Sequence, residues 1–242
     1  MSIGLIVHAF VCMVVTIVAA ILVVQLFYNQ LDRRMRIYGL FWIMTMLLWL
    51  QNAIRYAALG LGYDLPRLLT HFLSQTTVYL TGPVLLAFVG LQVFKSNRVA
   101  FILAVQGALA SAVAIGLLMT PNGMRIEPIL AFTAEASPNP VSMQIFIFEV
   151  VIISSLLAYD LFRNLVRWRR NLIVSSSYEV IYDIAIIMYL AIGGFDLAKV
   201  TTNWGLLIFR LFYSAAFLAV FLTFRQQQAS REQYLVSVST PL

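Results

Sequence analysis

Residues 4–28 read GLIVHAFVCMVVTIVAAILVVQLFY, an apolar run of 25 residues without one charged side chain. Roughly 20 such residues cross a bilayer, because its hydrocarbon core is about 30 Å thick and a helix rises about 1.5 Å per residue. Six further apolar stretches of similar length follow, at about 39–61, 70–93, 99–119, 141–162, 178–196 and 204–224. The sequence therefore predicts an all-α, seven-transmembrane-helix bundle.

The composition of the whole chain supports this fold class. Apolar residues make up 62% and charged residues 11% of the 242 positions, and the mean hydropathy is +0.90. Soluble domains average about half apolar and about a quarter charged residues, so a water-soluble fold of this size would leave too much apolar surface exposed. We expect one transmembrane domain over residues 1–225, and a tail over 226–242 that is too short to bury a core of its own.

The positions of the basic residues predict the orientation of the bundle. Loops rich in Lys and Arg stay on the cytoplasmic side of a membrane. The gaps on one side of the predicted membrane hold three basic residues: Arg67, Arg125 and Lys199. The opposite side holds eleven: Arg33, Arg34, Arg36, Lys95, Arg98, Arg163, Arg167, Arg169, Arg170, Arg225 and Arg231. This alternation predicts an N-terminus outside and a C-terminus in the cytoplasm of a bacterial-type inner membrane.

Three charged residues fall well inside predicted spans. Counted inward from the outer ends of their helices, Arg55, Glu149 and Arg210 all lie at a depth of about 9–12 Å. A charge at this depth is costly, so it should face the protein interior and find a partner. We therefore expect Glu149 to pair with Arg210 or Arg55 in the outer half of the bundle.

Polar neighbours extend this layer. Gln51 precedes Arg55 by one turn, and His71, Gln75 and Tyr79 follow one another at intervals of four residues, toward Gly82-Pro83. Proline inside a helix bends it or frees a carbonyl for a ligand. Hydrogen bonding between helices is the favoured interpretation of these residues. A ligand or ion site made by Arg55, Glu149, Arg210, Gln51, His71, Gln75 and Tyr79 is the alternative.

The longest predicted loop runs from Thr120 to Pro140 on the outer face and carries four of the seven prolines. Its apolar part, residues 126–132, is suited to the membrane surface or to the space between helix ends. A plain connector is the favoured interpretation, and a cap over a binding cavity is the alternative.

Two charged clusters are expected on the cytoplasmic side. The basic one contains Arg163, Arg167, Arg169 and Arg170, for which contact with anionic lipid headgroups is favoured over docking of a cytoplasmic partner. The acidic one pairs Glu179 with Asp183, one turn apart at the start of the sixth span. For this pair, capping of the helix N-terminus is favoured over acid–base catalysis or cation binding.

The sequence offers little support for catalysis or a cofactor. His8 and His71 are the only histidines, and no Cys or carboxylate cluster accompanies them at metal-ligand spacing. Retinal chemistry needs a lysine buried in the last span, and Lys199 precedes that span. We predict no enzyme activity, no cofactor and no metal, and we assign the net charge of +6 to topology rather than to nucleic-acid binding.

The functional hypothesis that remains is broad. The Arg-rich first turn, the second span with Trp42 and Trp49, and a third span ending in Gly-Pro-Val-Leu-Leu-Ala-Phe are similar to features of the seven-span modules that precede bacterial signalling domains, but they are too generic to assign a family. We expect a non-enzymatic accessory or receptor-like subunit that acts through another membrane or cytoplasmic chain. A small-solute or proton transporter is the alternative.

Overall fold

In the computed structural model, which describes residues 2–28, 33–63, 66–169, 176–197 and 204–239, the chain is almost entirely helical. The helices are α1 Ile3–Tyr28, α2 Arg33–Leu61, α3 Arg67–Phe94, α4 Asn97–Leu118, α5 Pro140–Arg169, α6 Ser176–Leu197 and α7 Trp204–Ser239. Two short strands, β1 Met124–Ile126 and β2 Ala136–Pro138, lie between α4 and α5.

Six of these helices, α1 to α5 and α7, are long and apolar enough to cross a membrane. In α6 the described apolar part is shorter, Tyr182–Gly194. Large apolar side chains such as Phe101 and Leu109 of α4 are exposed on the outside of the bundle, as expected where lipid is the solvent. The predicted all-α architecture is therefore confirmed, with six helices that could cross a membrane.

Each helix packs against the next one in the chain, and α7 returns to pack against α1, so that the bundle closes. Helix α3 also contacts α5. Successive helices run in opposite directions, so that one end of the bundle carries the β1–β2 pair and the beginning of α1. We call this the hairpin end. The other end carries Arg34 of α2 and Arg163 of α5, and we call it the arginine end.

Local sequence explains where the helices begin and end. Ser96 accepts a hydrogen bond from the Val99 N–H at the start of α4, which is the usual role of an N-cap serine. Pro140 occupies the first position of α5, where its missing N–H costs nothing. Gly62 follows α2 at a φ of 89°, a left-handed conformation that glycine adopts without strain.

The proline inside α3 frees a carbonyl, as its position suggests, but that carbonyl already has a partner. Pro83 lacks the N–H that would bond to the carbonyl four residues earlier, that of Tyr79. The Ser111 hydroxyl of α4 donates to this oxygen at 2.7 Å. The break in α3 therefore ties α3 to α4.

Candidate functional site

The segment between α4 and α5 folds back onto the bundle as an antiparallel hairpin. Met124 pairs with Pro138 and Ile126 with Ala136. At its tip the Ala131 carbonyl lies so close to Gly4 of α1 that a β-carbon there would collide with it. The favoured interpretation of this segment as a plain connector was therefore wrong, because the hairpin is packed against the helices.

Glu135, on the hairpin, supplies the carboxylate for both buried arginines. Its Oε1 lies 2.8 Å from Nη2 of Arg210, and its Oε2 lies 3.5 Å from Nη2 of Arg55. The hydroxyl of Tyr56 also donates to Oε1. The arginine side chains are only 5% and 2% exposed, and that of Glu135 is 27% exposed. Residues from α2, α7 and the hairpin thus meet in one ion-pair network.

The ion pairs also set the protonation state of Glu135. Burial by itself raises the pKa of this carboxyl, but Arg210, Arg55 and the Tyr56 hydroxyl outweigh burial and lower the pKa from 4.5 to about 2. The carboxylate is therefore ionised at every physiological pH, and the hairpin is held down by a permanent charge.

Two histidines border the network, and their tautomers follow from their partners. The ring of His71 receives a hydrogen bond at Nδ1 from Nη1 of Arg55, at 2.9 Å. Because a guanidinium only donates, Nδ1 carries the lone pair and Nε2 carries the proton. By the same logic, Nε2 of His8 accepts from Arg210, and its Nδ1–H donates to the Phe132 carbonyl of the hairpin.

The aromatic ring of Tyr56 lies at the centre of these groups. His8 stacks on it with ring centroids 4.1 Å apart and planes 9° from parallel. The guanidinium carbons of Arg55 and Arg210 lie 5.0 Å and 5.3 Å from its centroid, within the range of a cation–π contact. The arginines are therefore held by ring faces as well as by Glu135.

A cavity of about 190 Å³ lies directly beneath the hairpin, between α2, α3, α5, α6 and α7. Its polar side is formed by Asn52, Arg55, His71, Ser74, Gln75, Thr81, Glu127, Thr133, Glu135 and Arg210. The remaining wall is mostly apolar or aromatic and includes Trp49, Val78, Phe146, Leu190 and Tyr213. An engineered cavity of about 150 Å³ holds a benzene molecule, so this one has room for a small organic ligand.

Aromatic side chains close the cavity toward the arginine end. Tyr189 and Tyr213 form its floor, with ring centroids 5.1 Å apart. Below them lies the ring of Trp42, whose centroid is 5.9 Å from that of Tyr189 and 4.7 Å from that of Phe217. The Trp42 and Phe217 side chains are fully buried, so aromatic rings fill the core between the cavity and the arginine end.

Four of the seven residues predicted for a ligand or ion site line this cavity: Arg55, His71, Gln75 and Arg210. Gln51 instead hydrogen bonds Thr77 of α3. Tyr79 is hydrogen bonded through its hydroxyl to Ser142 of α5, at 2.7 Å. Both therefore link helices outside the cavity lining.

The predicted pairing of Glu149 with an arginine was wrong. Its carboxylate lies against Gly82, where a β-carbon would come within 2.5 Å of Oε2. Its Oε1 is buried without a hydrogen-bond partner among the described residues. The ion pairs that the structure describes for Arg55 and Arg210 are made with Glu135.

The site contains three residues that the sequence analysis did not assign to it: His8, Tyr56 and Glu135. His8 is the sole polar residue in the first half of an apolar span, and that is a signal available from sequence. For Glu135 no such signal exists, because depth counted along helices does not apply to a loop that folds back.

At the arginine end, the predicted basic cluster divides. Arg163 forms an ion pair with the fully buried Asp160 and donates to the Val93 carbonyl at 3.2 Å. Gln92 connects the same carboxylate to Arg34. Arg167 and Arg169 are exposed, and Arg170 lies outside the described residues.

The acidic pair is described only in part. The side chain of Glu179 lies outside the described set, whereas Asp183 is fully buried. Among described residues, no three His, Cys, Asp or Glu side chains are grouped closely enough to hold a metal ion.

No protein-family model matches the chain, and no curated protein is similar to it in sequence. The interpretation of the site therefore rests on its geometry.

Proposed function

We propose that the protein is a non-enzymatic, receptor-like subunit of a membrane complex, which binds a small ligand beneath the hairpin and acts through a partner chain. The observation that carries this proposal is the cavity itself. It is roofed by a hairpin that Glu135, the hydrogen bond from His8 to the Phe132 carbonyl and local packing hold in place, and it is lined by buried charges. A ligand that changes these contacts changes the position of the roof.

The closed floor favours binding over passage. A transporter must open its site to each side in turn, and here the route toward the arginine end is filled by Trp42, Phe217 and the two tyrosines. Transport of a small solute or of protons through the Arg55–Glu135–Arg210 layer is the competing function.

The proposal includes seven spans, with α6 as the sixth, and a bacterial-type inner membrane as the location. It places the hairpin end outside and the arginine end in the cytoplasm, following the distribution of basic residues. The exposed Arg167 and Arg169 are then available to lipid headgroups or to the partner. Reporter tags after residues 97 and 172 test this: periplasmic signals from both would refute the orientation.

Purification in a mild detergent tests the function. A partner that co-purifies in a fixed ratio supports a subunit, and proton flux in liposomes containing the lone protein would instead establish transport. Two neighbouring glycines then connect the function to the cavity. Gly193 lines it, and a β-carbon at Gly194 meets no atom within 4 Å.

Gly193→Leu fills the cavity, and Gly194→Leu adds the same bulk elsewhere on α6. We expect the first variant to abolish any ligand-dependent change in partner binding and the second to preserve it. If partner binding responds to the ligand equally in the two variants, the cavity is not the ligand site.

A further inference from the structure

The charges around the cavity identify the sign of its ligand. A shallow groove above it is lined by Arg67, Arg125 and Glu127. Among the described residues that line the cavity and this groove, four are arginines and two are glutamates. Because the histidine rings that contact Arg55 and Arg210 are neutral, positive charge is in excess, and an anion is attracted.

Hydrogen-bond donors remain available on one side of the cavity. The side chains of Gln75 on α3 and Asn52 on α2 present amide N–H groups to it. The Nε2 of His71 is buried and makes only a weak hydrogen bond, to the backbone of Ala134, so this ring holds the hairpin rather than the ligand.

The opposite side of the cavity requires a different chemistry. Trp49, Val78, Leu190 and Tyr213 offer a largely apolar surface, against which an inorganic anion would lose its hydration without compensation. A ligand that satisfies both sides has an anionic head and an apolar body.

We infer that the ligand of this cavity is a small carboxylic acid with an apolar body, bound as the carboxylate. Its head accepts hydrogen bonds from the Gln75 and Asn52 amides beside Arg55, and its body lies between Trp49, Val78 and Tyr213. This inference rests on the proposed function, because it names the ligand of the same cavity. It adds that the ligand brings a second anion, beside Glu135, to the two buried arginines.

Three probes distinguish the requirement for a negative charge from the requirement for an apolar body in the purified protein. Benzoate carries charge and body, acetate carries the charge alone, and benzamide carries nearly the same body without the charge. Calorimetry with each probe measures the dissociation constant, and Trp49 provides a fluorescence signal from inside the cavity. We expect benzoate to bind at least tenfold more tightly than either of the others.

Variants assign the binding to the proposed donors. A hydrogen bond to a charged group contributes about ten- to a hundredfold in affinity, so Gln75→Leu should weaken benzoate binding by that factor. Gln75→Asn keeps an amide donor and should restore part of the affinity. Should Gln75→Leu fail to fold, Asn52→Leu serves the same purpose, with an expected loss of about tenfold.

Benzoate and benzamide binding equally well would overturn the inference, as would binding that is unchanged in Gly193→Leu or no benzoate binding at millimolar concentration. The proposed function is refuted by a different result. A protein that binds benzoate but has no partner refutes the role as a subunit and supports the ligand class. A protein that has a partner but does not bind benzoate supports the role as a subunit and refutes the ligand class.

Discussion

Replacing Glu135 by Gln tests the ion-pair network most simply. The amide keeps the shape of the side chain but removes the charge that neutralises Arg55 and Arg210, two side chains that are almost completely buried. A carboxyl whose pKa is 4.5 unfolded and about 2 folded contributes about 3 kcal/mol to stability when ionised. The usual loss of about 3–5 kcal/mol on breaking a buried pair agrees with this.

The stability that Glu135→Gln is expected to lose also depends on pH, in a defined direction. Because the pKa is lower in the folded state, the contribution is fully present above about pH 4.5 and disappears as the pH falls toward 2. The wild-type protein and Glu135→Gln should therefore differ by about 3 kcal/mol at pH 7 and converge in acid. Unfolding in mixed detergent micelles, followed by the helical circular dichroism signal, measures the difference.

A second glutamate of the same hairpin provides the control. Glu127 lies at the rim of the cavity and accepts a hydrogen bond from Ser137, so Glu127→Gln should cost about 1 kcal/mol or less, as partly exposed charges do. The reasoning is refuted if the two variants lose the same stability at pH 7, or if the loss in Glu135→Gln is independent of pH.

Three further substitutions probe the packing. Gly4→Ala should displace the hairpin tip and make the hairpin more sensitive to trypsin, whereas Gly116→Ala, whose β-carbon meets no atom within 4 Å, should not. Ser111→Ala leaves the buried carbonyl of Tyr79 without its partner and should cost about 1–3 kcal/mol of unfolding free energy; an unchanged value would mean that α3 is not tied to α4 here. Asp160→Ala should cost about 2 kcal/mol, less than a fully buried pair, because its arginine partner is 26% exposed; a loss below about 0.5 kcal/mol would argue against the network at the arginine end.

Much of the fold could be predicted from hydropathy, because a spanning helix is a local property of about 20 residues. The run from Gly4 to Tyr28, for example, lies entirely within α1. Arg55, Arg210 and His71 could be placed in one layer for the same reason, since depth along a helix follows from residue count.

The contacts within the layer depend on rotation and on a non-local segment, and these were harder to predict. Tyr79 lies eight residues after His71, which turns it by about 80° beyond two full turns, away from the cavity and toward Ser142. Glu149 has the right depth, but its helix directs it to Gly82. The carboxylate that occupies its predicted place comes from a loop.

The double-mutant cycle between Glu135 and Arg210 measures the pairing on which this account depends. We expect a coupling free energy of about 2 kcal/mol or more at pH 7, near the upper part of the range for residues in contact. A parallel cycle between Glu149 and Arg210 should give a value near zero. Additive effects in the first cycle together with strong coupling in the second would contradict the account and restore the pairing inferred from helix depth alone.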